Sequence, residues 1–119
     1  MSKLYERGDV IFLKCMLLCN RNGTKEMDLR LNGHPFVIME DVYELGETVP
    51  CLKISSGKKG KRKEEQYVIE NFKIVGRPAK KSYVDIKNVY NVNVDKSYLV
   101  QGRIKKPVME ELEKLANIS

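Results

Sequence analysis

The sequence predicts a mainly β domain: a small, strongly bent antiparallel sheet or barrel of five to seven short strands, with one C-terminal helix packed on it. Three observations lead there. Short apolar runs rich in Val, Ile, Leu and Phe alternate with clusters of Gly, Asn and Pro, which is the punctuation of strands and turns. Only the C-terminal segment carries apolar residues at helical spacing. At 119 residues and 42% hydrophobic, the chain has the size and composition of one domain spanning 1–119 that folds without staples.

The elements follow in order. Arg7-Gly8-Asp9 is a turn that feeds a continuous run from Val10 to Cys19, read as a single first strand. Asn20-Arg21-Asn22-Gly23-Thr24 supplies turn chemistry, and Glu26 to Leu31 alternates well enough for a short return strand. Phe36 to Met39 is the next strand, and Val49 to Ile54 the one after it. In the latter, Leu52 and Ile54 share one face while Cys51, Lys53 and Ser55 share the other. The segment of about 57–65 holds two glycines, four lysines, an arginine and no apolar residue, and reads as a flexible basic loop at a hairpin tip. Gln66 to Val75 is a strand bearing Tyr67 and Phe72. Gly76-Arg77-Pro78-Ala79 breaks the pattern, and Tyr83 to Ile86 with Val89 to Val94 gives one or two more strands. From Pro107, suited to a first helical position, Val108, Leu112 and Leu115 form the apolar stripe of the helix.

The formal net charge of +6 suits a polyanionic partner, RNA or DNA, or an acidic protein segment. The longest apolar run is too short to span a bilayer or to make a secretory signal, so the reading is a soluble, cytoplasmic protein with no membrane partner. The three cysteines are an odd count and read as reduced, small hydrophobes. Cys15, Cys19, Cys51 and His34 together would make a zinc tetrad in number, but their spacing fits no common zinc motif, and no metal or other cofactor is expected.

His34 is the only histidine. It stands between Gly33 and Pro35 at the mouth of the Phe36–Met39 strand, where close backbone approach and a fixed chain direction aim the ring. Histidine alone exchanges protons near neutral pH without help from its surroundings. Around it several segments line up, in order, with one family. Arg7-Gly8-Asp9-Val10 resembles the opening RGD(I/V) of the MazF/PemK toxin endoribonucleases. Gly33-His34-Pro35-Phe36-Val37-Ile38 is similar to their (G/R)(R/H)Px(L/V)(V/I) strand, and Cys51 to Ser55 occupies the place of the strand that ends in threonine or serine. Asp95-Lys96, then Gly102-Arg103-Ile104 and Met109-Glu110-Glu111-Leu112, resemble the closing DK…GRL…M.E segment. Many members carry a catalytic arginine where His34 stands, and the basic segment around Lys58–Lys63 looks like an insertion.

The resemblance implies an SH3-like barrel, a homodimer, and the toxin of a toxin-antitoxin pair, with single-stranded RNA and a cognate antitoxin, protein or RNA, as partners. It implies metal-independent cleavage of RNA by attack of the 2′-hydroxyl on the adjacent phosphorus. That reaction needs a base, an acid for the leaving 5′-oxygen and donors for the charge that develops on phosphorus. The chain lacks the acidic cluster of a two-metal nuclease. The candidate catalytic residues are His34 as acid or base, Ser55 as donor to a phosphate oxygen, and Arg30, four residues before His34, as the cation. Lys53, Ser56, Lys58, Lys59, Lys61, Arg62 and Lys63 are the candidate RNA contacts, and Tyr67, Tyr83, Tyr90 and Phe72 candidate stacking faces.

Each of these residues also has an ordinary structural reading: Arg30 as a solvated strand residue, Ser55 as a strand end, the lysines as a solvated loop, and the aromatics as core. The alternative function is a non-catalytic SH3-like module that binds nucleic acid or a peptide.

Overall fold

A computed structural model of the chain describes residues 2–13, 17–20, 26–28, 34–55 and 65–117. Nine strands and one helix are present among them: β1 Asp9–Leu13, β2 Leu17–Asn20, β3 Glu26–Asp28, β4 His34–Ile38, β5 Thr48–Ser55, β6 Gln66–Phe72, β7 Lys80–Asp85, β8 Tyr90–Asn93, β9 Val100–Arg103 and α1 Lys106–Leu115. Seven of the strands run edge to edge in the order β3-β2-β8-β5-β4-β1-β9, all antiparallel, as a curled half-barrel. β6 and β7 form a hairpin that branches from the end of β5, where Ile54 and Ser55 pair with Val84 and Tyr83. The mainly β barrel-like architecture with a C-terminal helix is therefore as the sequence predicts.

The middles of β1, β4 and β5 are apolar on both faces because both of those faces are covered. On β1, β4, β5 and β8, Ile11, Leu13, Phe36, Ile38, Val49, Cys51, Tyr90 and Val92 turn to one face, where Tyr5, Val42 and Val94 complete a buried cluster. The alternate residues Val10, Val37, Leu52 and Ile54 turn to the other face, with Val84 of β7, against Phe72, Ile74, Ile104 and the helix. The run Phe36–Met39 has no polar break, since period-two alternation simply deals it into two cores.

Four expectations are corrected. The run from Val10 to Cys19 is two strands, because β1 pairs with β4 and β9 whereas β2 pairs with β3 and β8. The helix stripe is Met109, Leu112 and Ala116, all buried, while Leu115 is 47% exposed. Spacings of three and four residues admit both stripes, and docking against Gly8 and Ile104 selects the one that carries Met109. The third is β9, which was read only as part of a motif and forms an edge strand on β1. It is held by antiparallel pairing of Asp9 with Arg103 and Val10 with Gly102. The β6 strand also stops at Phe72 instead of Val75, whose N–H donates to the Gln101 carbonyl at 2.8 Å.

The closing motifs have a structural role. Gly8 takes φ +102°, its N–H donates to the Ile38 carbonyl at 2.8 Å, and its carbonyl accepts from Ile104 N–H at 2.9 Å. Asp9 accepts from Glu6 N–H at 2.9 Å and pairs with the Arg103 guanidinium at 3.1 Å. RGD and GRI are thus two halves of one joint between β1 and β9.

Candidate functional site

β4 and β5 pair with Phe36 opposite Lys53, Val37 opposite Leu52 and Ile38 opposite Cys51. By alternation along each strand, His34 and Ser55 fall on the same side of the sheet as that Phe36–Lys53 pair, each two residues beyond it, where β5 leaves β4 to pair with β7. On the other edge of β5, Ser55 is opposite Tyr83, and Tyr83 is opposite Val68 of β6. On the other edge of β4, His34 is opposite Leu13. Directly opposed residues point to the same side of a sheet with Cβ atoms about 5 Å apart. Leu13 and His34, then Ser55, Tyr83 and Val68, therefore follow one another strand by strand as a row along one side of the sheet.

Burial falls along that row. Leu13 is fully buried, His34, Ser55 and Tyr83 are half-buried, and Val68 is exposed. Lys53 is half-buried on the same side of β5 as Ser55, one pleat closer to Cys51. The sequence expectation that Cys51, Lys53 and Ser55 share a face holds, and their fates differ with position: Cys51 is inside the core and the other two are at its rim.

The row and Lys53, on the same side of β5, offer an imidazole, a hydroxyl, a phenol and an ammonium from three adjacent strands. Rigid strands hold these groups more closely than loops would. An imidazole can exchange a proton, and the hydroxyl and ammonium can donate to oxygens of an anion between them. Of the four candidate stacking aromatics, Tyr90 and Phe72 are core residues, 5% and 7% exposed, while Tyr67 and Tyr83 are half-buried. Arg30, Ser56, Lys58, Lys59, Lys61, Arg62 and Lys63 lie outside the described residues.

Cys51 serves no chemistry here. Burial pushes its thiol far above the ordinary value, so it is neither a nucleophile nor a ready thiolate ligand. It also stands four residues along β5 from Ser55, about 13 Å at strand rise, too far to share a metal with His34.

A second feature escaped the sequence reading. A groove of about 550 Å³ opens between the hairpin strand β6 and the corner where β9 runs into α1. Tyr67, Ile69, Phe72 and Val108 give it apolar walls, and Lys73, Arg103 and Lys105 give it a basic rim. The Gly102-Arg103-Ile104 motif supplies part of one wall, but its meeting with β6 is not legible in the sequence, because the two sides are about thirty residues apart and meet only through packing.

No protein-family model, curated protein or solved structure matches the chain. No described helix is long and apolar enough to cross a membrane.

Proposed function

We propose that the chain is a metal-independent endoribonuclease acting on single-stranded RNA, the toxin of a toxin-antitoxin pair, as the motif resemblance implies. The observation that supports the reading is the pairing of β4 with β5, from which strand alternation puts His34, Ser55 and Lys53 on one half-buried side of the sheet. In this reading a phosphodiester sits over the row. The 2′-hydroxyl gives its proton to a solvent water as its oxygen bonds to phosphorus, the bond from phosphorus to the 5′-oxygen breaks, and the products are a 2′,3′-cyclic phosphate and a 5′-hydroxyl. His34, the only imidazole, protonates the departing 5′-oxygen, the step in which an unassisted alkoxide would be the poorest leaving group. Ser55 Oγ donates to a non-bridging oxygen, and Lys53 balances the charge that grows there. Tyr83, next in the row, offers a ring to an adjacent unpaired base. Arg30 and the basic segment around Lys58–Lys63 extend the contacts to neighbouring phosphates.

The test uses purified full-length chain, a long single-stranded RNA and excess EDTA, with the ends of the fragments mapped. Cleavage that leaves cyclic phosphates and falls by about two to four orders of magnitude in His34→Ala supports the reading. A folded protein that cuts no RNA in a varied set, yet binds it with a steep salt dependence, gives the non-catalytic module instead.

A further inference from the structure

We propose that the groove between β6 and α1 is a docking site for an extended acidic peptide segment, which adds to β6 as an extra strand. Among the described strands β6 pairs only with β7, and its residues Tyr67–Phe72 line the groove, so the second edge of β6 has no described strand partner and is open to a segment lying there. Such an edge is a template for strand addition. The ladder of β6 on β7 is regular from Gln66 to Ile69 and is interrupted before Phe72, where Asn71 takes φ +56°. The bulge bends the strand and ends the usable edge, leaving room for a partner segment of about four residues.

The walls specify what that segment carries. Tyr67 and Ile69 pack toward the helix-side core together with Val108, so inward residues of an added strand meet apolar surface. The rim is basic. Lys105 makes no ion pair with any described residue, and Lys73 is held at the rim by donating to the carbonyls of Ile74 and Arg77. Arg103 is anchored by Glu6 at 3.0 Å and Asp9 at 3.1 Å. The one acidic lining residue, Glu70, faces Lys81 at 3.9 Å. Charge complementarity therefore selects acidic residues at the outward positions, in alternation with apolar ones. A second copy of this chain is disfavoured as the occupant, because a two-fold pairing of β6 edges would bring two basic rims together. RNA has no main-chain ladder to match the strand edge. The site is separate from the His34 row, and its test does not depend on cleavage.

The experiment is amide hydrogen exchange read by NMR on the full-length protein, with three probes: an acetylated Val-Glu alternating octapeptide, its Val-Lys counterpart, and an oligouridylate. The acidic peptide is expected to slow exchange of at least two amides within Tyr67–Glu70 by about tenfold or more, as new main-chain hydrogen bonds require. Lys105→Glu, an exposed change at the start of α1 whose folding is checked by thermal unfolding, is expected to weaken the peptide at least about fivefold. Equal protection by the lysine peptide, protection by the oligouridylate in place of the peptide, concentration-dependent dimerisation through β6, or no slowing at all would each overturn the proposal.

Discussion

At the scale of single residues, two positions show how tightly the sequence is bound to its geometry. Gly8 combines φ +102° with a neighbour that cannot move: an added Cβ would lie 2.9 Å from the Ile104 carbonyl oxygen, which is main chain. Gly8→Ala is expected to destabilise the fold by about 1–3 kcal/mol, from the strained φ and the displaced β9 joint together. Urea unfolding followed by circular dichroism measures it, and an unchanged midpoint would show that the joint is slack. Asp41 shows a charge put to structural use. Its carboxylate accepts the Arg7 N–H at 2.8 Å and meets Lys3 at 3.1 Å. The Arg7 hydrogen bond is the largest influence and, with Lys3, holds the carboxyl below its ordinary value against a smaller opposing effect of burial. Because the folded value is the lower one, Asp41 adds stability above the unfolded value of about 3.9 and loses that increment as the pH falls through the folded value. Asp41→Asn is expected to cost stability at pH 7 and to flatten the dependence of the urea midpoint on pH below about 4.

At the scale of elements, the helix gives the sharpest contrast. Leu112 is fully buried against the helix-side core and Leu115 is half in water. Leu112→Ala is expected to cost about 2–5 kcal/mol, whereas Leu115→Ala should stay within about 0.5 kcal/mol of the parent. Thermal melts of the two variants decide between the observed stripe and the one the spacing first suggests. The example also marks how far a sequence reads. Period-two alternation in Val49–Ser55 placed Cys51, Lys53 and Ser55 on one side of β5, since a strand's pleat is intrinsic to it. The division into β1 and β2 is invisible in the sequence because no Gly or Pro interrupts Val10–Cys19; only the different partners of β1 and β2 separate them. β9 was overlooked because VQGR has no alternation of its own and owes its pairing to Asp9 and Val10. For the candidate site, His34 and Ser55 could be named from residue type, but their placement on one side of the sheet follows from the pairing of β4 with β5, which links positions about twenty apart. The meeting of the two sides of the β6 groove left no trace in either pattern or motif.

At the scale of the whole molecule, the fold closes by joining its ends. β1 pairs with β9, and the Tyr5 hydroxyl donates to the Tyr98 carbonyl at 2.7 Å and accepts from the Tyr98 N–H. These partners are 93 residues apart, and β2 with β8 is nearly as distant. Pairings of such long range have to overcome loop-closure entropy before they yield any stability, so folding is expected in the millisecond to second range typical of all-β domains. The hairpin β6–β7 and the neighbours β4–β5 are local and can form first, which leaves the Tyr5–Tyr98 contact as a late event. Tyr5→Phe keeps the buried ring and deletes the hydroxyl, at a cost of about 1 kcal/mol. If closure follows the transition state, nearly all of that loss appears as faster unfolding, and the folding rate hardly changes. Stopped-flow tyrosine fluorescence reads both arms, since the chain has no tryptophan and five tyrosines remain in the variant. A slowed folding arm with unchanged unfolding would instead place the joining of the chain's two ends inside the folding nucleus.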